Sequence, residues 1–154
     1  MAASGSVKGT LLEAIKAAMR SGDKERLAVL RSASAALKQR EVDERCDLAD
    51  DDSAAIDVLA KAVKQRRESA EQYRDAGETA RAEAEEREIE ILSEFLPQAA
   101  SDEEIDALIE AAIRDTGAGS IKDMGRVMGP LKEKLQGRAD LGAVSARVKA
   151  RLGG

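Results

Sequence analysis

The chain has 154 residues, with 36% charged and 1% aromatic side chains, no histidine, one cysteine and a formal net charge of -5. A single cysteine excludes an intramolecular disulfide, and no apolar run is long enough for a signal peptide or a membrane span, so we expect a cytoplasmic protein. Strong helix formers dominate the composition, which therefore predicts an all-α fold.

Two amphipathic helices are predicted after a disordered start, MAASGS, at residues 1–6. The first ends near Gly22, and Asp23 is placed to cap the second, which ends near Cys46. The apolar positions expected in the core are Leu11, Leu12, Ile15 and Met19 in the first helix and Leu27, Leu30 and Leu37 in the second.

Two further helices complete an N-terminal region of four helices. The third begins after the cap candidates Asp52 and Ser53 and ends at Gly77, and the fourth runs from Thr79 to the residue before Pro97.

Charged stretches in these two helices allow two interpretations each. Arg66 and Arg67 in the third helix form either a second anion contact or a pair of arginines whose aliphatic stems cover the bundle. The acidic stretch ARAEAEERE in the fourth helix is either a partner surface or a solvated face.

A domain boundary is predicted at LPQAASDEE. Pro97 ends the fourth helix, and Ser101 with Glu104 forms a capping box that opens the fifth. The sequence therefore predicts an N-terminal helical domain at residues 1–96, a linker at 97–100 and a C-terminal three-helix domain at 101–154.

The three C-terminal helices are predicted from apolar periodicity and from their caps. Ser120 is placed to cap the sixth helix, while Gly137 and Asp140 form the turn into the seventh. The expected core positions are Ile105, Leu108, Ile109, Ala112, Ile113, Ile121, Met124, Met128, Leu131, Leu135, Leu141, Val144 and Val148.

The sixth helix carries a line of residues with no side chains in its middle. This line is shifted by one position, or about 100° around the helix, from the expected core positions of the same helix. It consists of Lys122, Gly125, Gly129, Lys132 and Gln136. The two glycines between lysines form either a shallow groove for a phosphodiester backbone or a point where helix five or seven packs closely. Pro130 beside them predicts a kink or a restart of the helix.

The basic residues concentrate at the C-terminal end of the chain. Residues 116–154 hold eight Lys/Arg against three Asp/Glu, whereas the rest holds 17 against 27. An acidic body with a basic end indicates that one part meets a polyanion, and the alternative is that these cations only solvate short helices. Arg138, at the apex of the turn before the last helix, is expected to point away from the core, where it is either a phosphate contact or a solvated turn arginine. The candidate RNA contacts are Lys122, Gly125, Arg126, Gly129, Lys132, Arg138 and Lys149.

The sequence lacks the residues that most enzyme sites need. It has no histidine, no cysteine pair, no G-x-x-x-x-G-K-[ST] and no G-x-S-x-G, so we expect no catalytic residues, metal site or cofactor. With one tyrosine and one phenylalanine there is no platform on which bases could stack. The expected nucleic-acid partner is therefore tRNA or another structured RNA, bound by its backbone and shape.

Several stretches resemble the GatB/YqeY family over roughly residues 8–152. They are LAVLRSASAALKQREVDER, KQRRESAEQYRDAG, EREIEILSEFLPQ and IKDMGRVM followed by GRADLGAVSARVKARL. The C-terminal part is similar to the tail domain of the B subunit of the tRNA-dependent glutamyl/aspartyl amidotransferase. The resemblance implies an all-helical protein whose tail contacts the body of tRNA, and it singles out Lys122, Gly125, Arg126, Gly129, Gly137 and Arg138.

The catalytic part of the amidotransferase subunit has no counterpart in this chain. The favoured function is therefore a non-catalytic accessory protein of tRNA binding or tRNA metabolism. One alternative is a protein-interaction module of an amidotransferase or aminoacyl-tRNA synthetase assembly, docked through helices two and three. Another is a subunit related to carbon-nitrogen ligases that use glutamine as amido donor.

Overall fold

The computed structural model describes residues 5–153, and all of their regular structure is helical. The all-α prediction is confirmed. Seven α-helices lie within these residues: α1 (Val7–Ser21), α2 (Lys24–Glu44), α3 (Asp52–Asp75), α4 (Thr79–Ser93), α5 (Asp102–Thr116), α6 (Met124–Leu135) and α7 (Leu141–Gly153). Short 3-10 turns at Leu48–Asp50 and Ile121–Asp123 precede α3 and α6. None of the described helices is long and apolar enough to cross a membrane.

The chain divides into two compact units between Pro97 and Gln98. In the N-terminal unit, formed by α1 to α4, the largest fully buried side chains are Leu11, Leu30, Leu37, Leu48, Leu59 and Leu92. In the C-terminal unit, formed by α5 to α7, they are Ile109, Val127, Leu131, Leu135, Val144 and Val148. Each unit has a core of its own.

Local capping fixes the start of the first two helices. Ser6 is buried and accepts a hydrogen bond from the Gly9 N–H at 2.9 Å, so the predicted disordered start is wrong at this residue, while residues 1–4 lie outside the described chain. Gly22 ends α1 with φ +74°, and Asp23 caps α2 by accepting from the Arg26 N–H at 3.1 Å, as predicted.

Two predicted core residues of α1 lie on the surface. Leu12 and Met19 are 41% and 55% exposed, because α1 packs through the neighbouring line that contains Leu11 and Ala18. At the start of α3 the cap is Asp51, which accepts from the Ala54 N–H, rather than Asp52 or Ser53.

The long helices α3 and α4 pack against each other and are joined by ion pairs. The Arg66 guanidinium contacts Glu88 at 2.9 Å and the Ala62 carbonyl, and Arg74 contacts Glu86 at 2.7 Å. Arg66 is thus engaged inside its own unit, which favours the bundle-covering interpretation over a second anion contact at this residue.

The segment around α6 differs from the sequence prediction in two ways. Ile121, expected in the core, is 47% exposed because it lies in the 3-10 turn before the helix begins. The helix then runs without interruption through Pro130 instead of restarting there. Proline has no backbone N–H, so the Arg126 carbonyl lacks its usual helical hydrogen-bond donor. Pro130 is exposed, so this missing hydrogen bond lies on the solvent side of the helix.

Candidate nucleic-acid interface

The glycines of α6 lie on the open surface of the C-terminal unit. Gly125 and Gly129 are exposed, and a Cβ atom added to either would meet no atom of the described residues within 4 Å, apart from its own helix backbone and chain neighbours. The helix packs into the core through Val127, Leu131 and Leu135, which lie away from the glycines, and through Met128 at the border between the two sides. The interpretation that the glycines admit a closely packed neighbouring helix is therefore wrong.

Lysines stand at both ends of this open line. Lys122 lies in the 3-10 turn before α6, and Lys132 lies one turn beyond Gly129; both are exposed. Neither ammonium group has an ion pair or hydrogen bond within the described residues. We call Lys122, Gly125, Gly129 and Lys132 the glycine–lysine face. It offers two uncompensated charges with uncovered backbone between them.

Arg126 borders this face and already has an acidic neighbour. Its side chain is 62% exposed and forms an ion pair with Asp123, while a second nitrogen lies 3.5 Å from the Thr116 carbonyl. The backbone N–H of Gly119, the Arg126 guanidinium and the N–H of Ser120 lower the pKa of the Asp123 carboxyl. Asp123 is therefore ionised at neutral pH and competes with any phosphate for Arg126.

Arg138 was predicted to point away from the core because of its place in the turn, but its side chain is bound within its own unit. Its guanidinium forms two hydrogen bonds of 2.8 Å with the Glu104 carboxylate and one of 2.9 Å with the Gln98 carbonyl. Its own carbonyl accepts from the Ala100 N–H at 2.8 Å. Arg138 thus holds the segment before α5 against the turn between α6 and α7, and its donors are not free for a phosphate.

The same contact changes the predicted capping box at α5. Ser101 caps the helix by accepting from the Glu104 N–H at 3.1 Å. The Glu104 carboxylate pairs with Arg138 instead of returning to the Ser101 backbone. A reciprocal cap of this kind occurs before α6, where the Asp123 carboxylate accepts from the Ser120 N–H at 3.2 Å.

Helix α7 contributes fewer free charges than its sequence indicates. Arg147 pairs with Asp102 at 2.6 Å and with Asp106 at 3.2 Å, and Arg151 pairs with Glu110 at 3.3 Å. The Asp102 and Asp106 carboxylates raise the pKa of Arg147, chiefly through its hydrogen bond with Asp102.

The cations without a partner in the described part of this unit are lysines. Lys149 on α7 is exposed and makes no ion pair within the described chain. The same holds for Lys134 on α6, which was not among the predicted contacts. The positive charge that this unit can offer to a ligand is therefore smaller than its number of basic residues suggests.

Neither a metal centre nor a reactive thiol is found among the described residues. No group of three His, Cys, Asp or Glu side chains within residues 5–153 is arranged to hold a metal ion. Cys46 is exposed, and desolvation with the carboxylates of Glu44 and Glu41 raises the pKa of its thiol. A thiol with a raised pKa is a poor nucleophile at neutral pH.

Comparison with known families identifies the chain. Residues 8–152 match the family described as Yqey-like protein, so the chain belongs to this family. No curated protein matches the sequence.

Proposed function

We propose that this protein is a non-catalytic accessory protein that binds tRNA, or another structured RNA, through the backbone of the RNA. The observation that carries the proposal is the open glycine–lysine face, where Gly125 and Gly129 lack neighbours within 4 Å and both flanking lysines lack partners among the described residues. This function places the protein in the cytoplasm and in translation-related RNA metabolism. The resemblance to the tail domain of the amidotransferase B subunit supports tRNA as the RNA.

The chemistry of the face suits phosphates better than bases. A lysine ammonium is a flexible point charge that contacts phosphate oxygens without reading sequence, and glycines let another backbone approach closely. Base recognition would require aromatic platforms, and neither Tyr73 nor Phe95 lies in the C-terminal unit. The face therefore favours modest affinity with little sequence preference.

The proposed set of phosphate contacts is smaller than the set predicted from the sequence. Lys122 and Lys132 supply the main charges, with Lys149 as a further phosphate contact on α7 and Arg126 available once its pair with Asp123 opens. Arg138 is better explained as a residue that holds the fold together.

Salt dependence provides a quantitative expectation. Each phosphate neutralised contributes about -0.9 to the slope of log K against log salt for duplexes, and about -0.7 for single strands. Three contacts predict a slope of roughly -2 to -3, and loss of two lysines predicts a decrease of its magnitude by about 2.

The test is fluorescence anisotropy of labelled total tRNA titrated with the full chain at several salt concentrations. The Lys122→Glu/Lys132→Glu variant removes both charges of the face. Lys16→Glu/Lys61→Glu is the matched control, since it reverses two exposed lysines of the N-terminal unit, 62% and 69% exposed, and leaves the face intact.

We expect the face variant to bind tRNA much more weakly, with a salt slope smaller in magnitude by about 2, while the control binds nearly as the unmodified chain does. Equal binding by both variants would contradict the assignment of the face. Absence of tRNA binding by the unmodified chain at low salt would contradict RNA binding altogether.

A further inference from the structure

Helix α2 carries a row of cations at a spacing of seven residues. The row consists of Lys24, Arg31, Lys38 and the C-cap residue Arg45, and all four are exposed. Between them, on the same side of the helix, lie the exposed small or apolar residues Ala28, Ala35 and Val42. We call these seven residues the basic stripe. Successive steps of four and three residues keep the stripe from Lys24 to Val42 on one face of the helix, and Arg45 follows at the left-handed C-cap.

The cations of the stripe take no part in the core or in the ion pairs of their own unit within the described residues. The residues of α2 that pack into the core are Val29, Leu30, Ala33 and Leu37, on the other side of the helix. None of the four cations of the stripe has an ion pair or hydrogen bond within the described residues.

The carboxylates of α2 form no ion pair with the stripe. Glu25 pairs with Arg87 at 2.9 Å, and Glu41 pairs with Lys8 at 2.7 Å. Glu44 pairs with Arg40 within the helix, and Asp43 accepts a hydrogen bond from the Gln39 amide at 2.8 Å. The four cations, spread along about 30 Å of chain, therefore have no paired carboxylate on their own helix.

We propose that the basic stripe is the docking surface for an acidic amphipathic helix of a partner protein. Seven residues make about two turns of an α-helix, so carboxylates placed every seven residues on a partner helix lie on one face at steps of about 10.5 Å. The cations of the stripe have the same spacing. The alanines between the cations allow two helix axes to approach closely. Val42 is 64% exposed, and an apolar side chain of the partner would cover it.

A polynucleotide fits this surface less well. The unit holds 16 Lys/Arg against 21 Asp/Glu up to Pro97, so its overall field repels a polyanion, and only a locally matched row of carboxylates benefits fully from the stripe. The apolar positions between the cations would add nothing to phosphate contacts, and no aromatic residue lies on α2 for stacking. This docking does not depend on RNA binding by the C-terminal unit.

The probe for this surface is a labelled synthetic 24-residue peptide with glutamate and leucine at the a and d positions of successive heptads. A peptide of the same composition in scrambled order is the control for net charge. Both are titrated into the full chain by fluorescence anisotropy. We expect the heptad peptide to bind at least about tenfold more tightly than the scrambled one, since only its carboxylates match the seven-residue repeat.

Three variants assign the binding to the stripe. Lys24→Glu/Arg31→Glu/Lys38→Glu is expected to weaken binding of the heptad peptide about tenfold or more, through three lost charge contacts. The matched control reverses three exposed cations outside α2, in Lys16→Glu/Arg20→Glu/Arg67→Glu, and is expected to bind nearly normally. Circular dichroism of each variant tests whether its helical content is kept.

The third variant separates helix docking from simple attraction. Ala28→Arg/Ala35→Arg adds two positive charges but fills the positions where the partner helix would lie. Docking predicts weaker binding of the heptad peptide, whereas attraction by charge alone predicts tighter binding.

Four results would overturn the proposal. They are no binding of the heptad peptide, equal binding of both peptides, tighter binding by Ala28→Arg/Ala35→Arg, and a matched control that weakens binding as much as the stripe variant. Two measurements on the same proteins identify other occupants. Loss of tRNA binding in the stripe variant alone would make the stripe an RNA surface, and self-association that this variant abolishes in sedimentation would make the occupant a second copy of the chain.

Discussion

Gly125 in α6 yields a stability prediction that runs against the usual effect of replacing a glycine. A glycine in an exposed helix interior costs about 0.8–1 kcal/mol relative to alanine, and a Cβ atom at Gly125 would meet no described atom within 4 Å outside its own helix backbone and chain neighbours. Gly129 is a different case, because it precedes Pro130, whose ring disfavours helical backbone angles for a residue with a Cβ atom. Gly125 is the second residue of α6, so Gly125→Ala should raise the free energy of unfolding by about 0.5–1 kcal/mol. Urea denaturation of the full chain, followed by circular dichroism, measures the change.

A matched substitution elsewhere should have the opposite sign. Gly22 also has open space around its Cβ position, but its φ is +74°, where an L side chain is strained. Gly22→Ala is thus expected to lower the free energy of unfolding by about 1 kcal/mol. The comparison holds the chemical change constant and varies only the backbone conformation.

The result that would refute this reasoning is a loss of stability in Gly125→Ala. A loss of more than about 1 kcal/mol, with a normal unfolding slope, would mean that the added methyl group displaces packed atoms. Gly125 would then serve packing, and the open face would lose its main support as a binding surface.

Three further predictions concern the same unit. Gly125→Leu should fold, since helix propensity improves, yet weaken tRNA binding about tenfold or more by covering the backbone between the lysines. Unchanged anisotropy titrations would argue against the groove. Arg138→Ala should lower the free energy of unfolding by about 1–2 kcal/mol, because the hydrogen bonds to Glu104 and Gln98 are lost. The same variant should leave the salt slope of tRNA binding unchanged, and a changed slope would make Arg138 a phosphate contact. The pKa of Asp123 is lowered in the native state, so its stabilising contribution is complete above the unfolded value of 3.8 and is lost as the pH falls through the native pKa. Asp123→Asn removes this titration and should therefore reduce the loss of stability on the acid side. Urea denaturation at a series of pH values measures the effect.

Short-range interactions explain why the sequence was sufficient for the helical architecture. The cap of α2 at Asp23, the cap of α5 at Ser101 and the left-handed end of α1 at Gly22 depend on hydrogen bonds and backbone angles within a few residues. Apolar periodicity likewise placed Ile109 and Val148 in the core, because residues three and four apart share a helix face. These features were predicted because the atoms that determine them are close together in the chain.

The tertiary structure decided which surfaces are free. Arg138 lies 34 residues from Glu104 in sequence, and only folding brings these two side chains within hydrogen-bond distance. Leu12 fits the apolar pattern of α1, but the packing of α1 selects the line of Leu11 and leaves Leu12 on the surface. In the same way the sequence left two interpretations of Gly125, and the absence of neighbouring atoms around it among the described residues selected the open one. Exposure and pairing depend on contacts between distant parts of the chain, which helical periodicity does not determine.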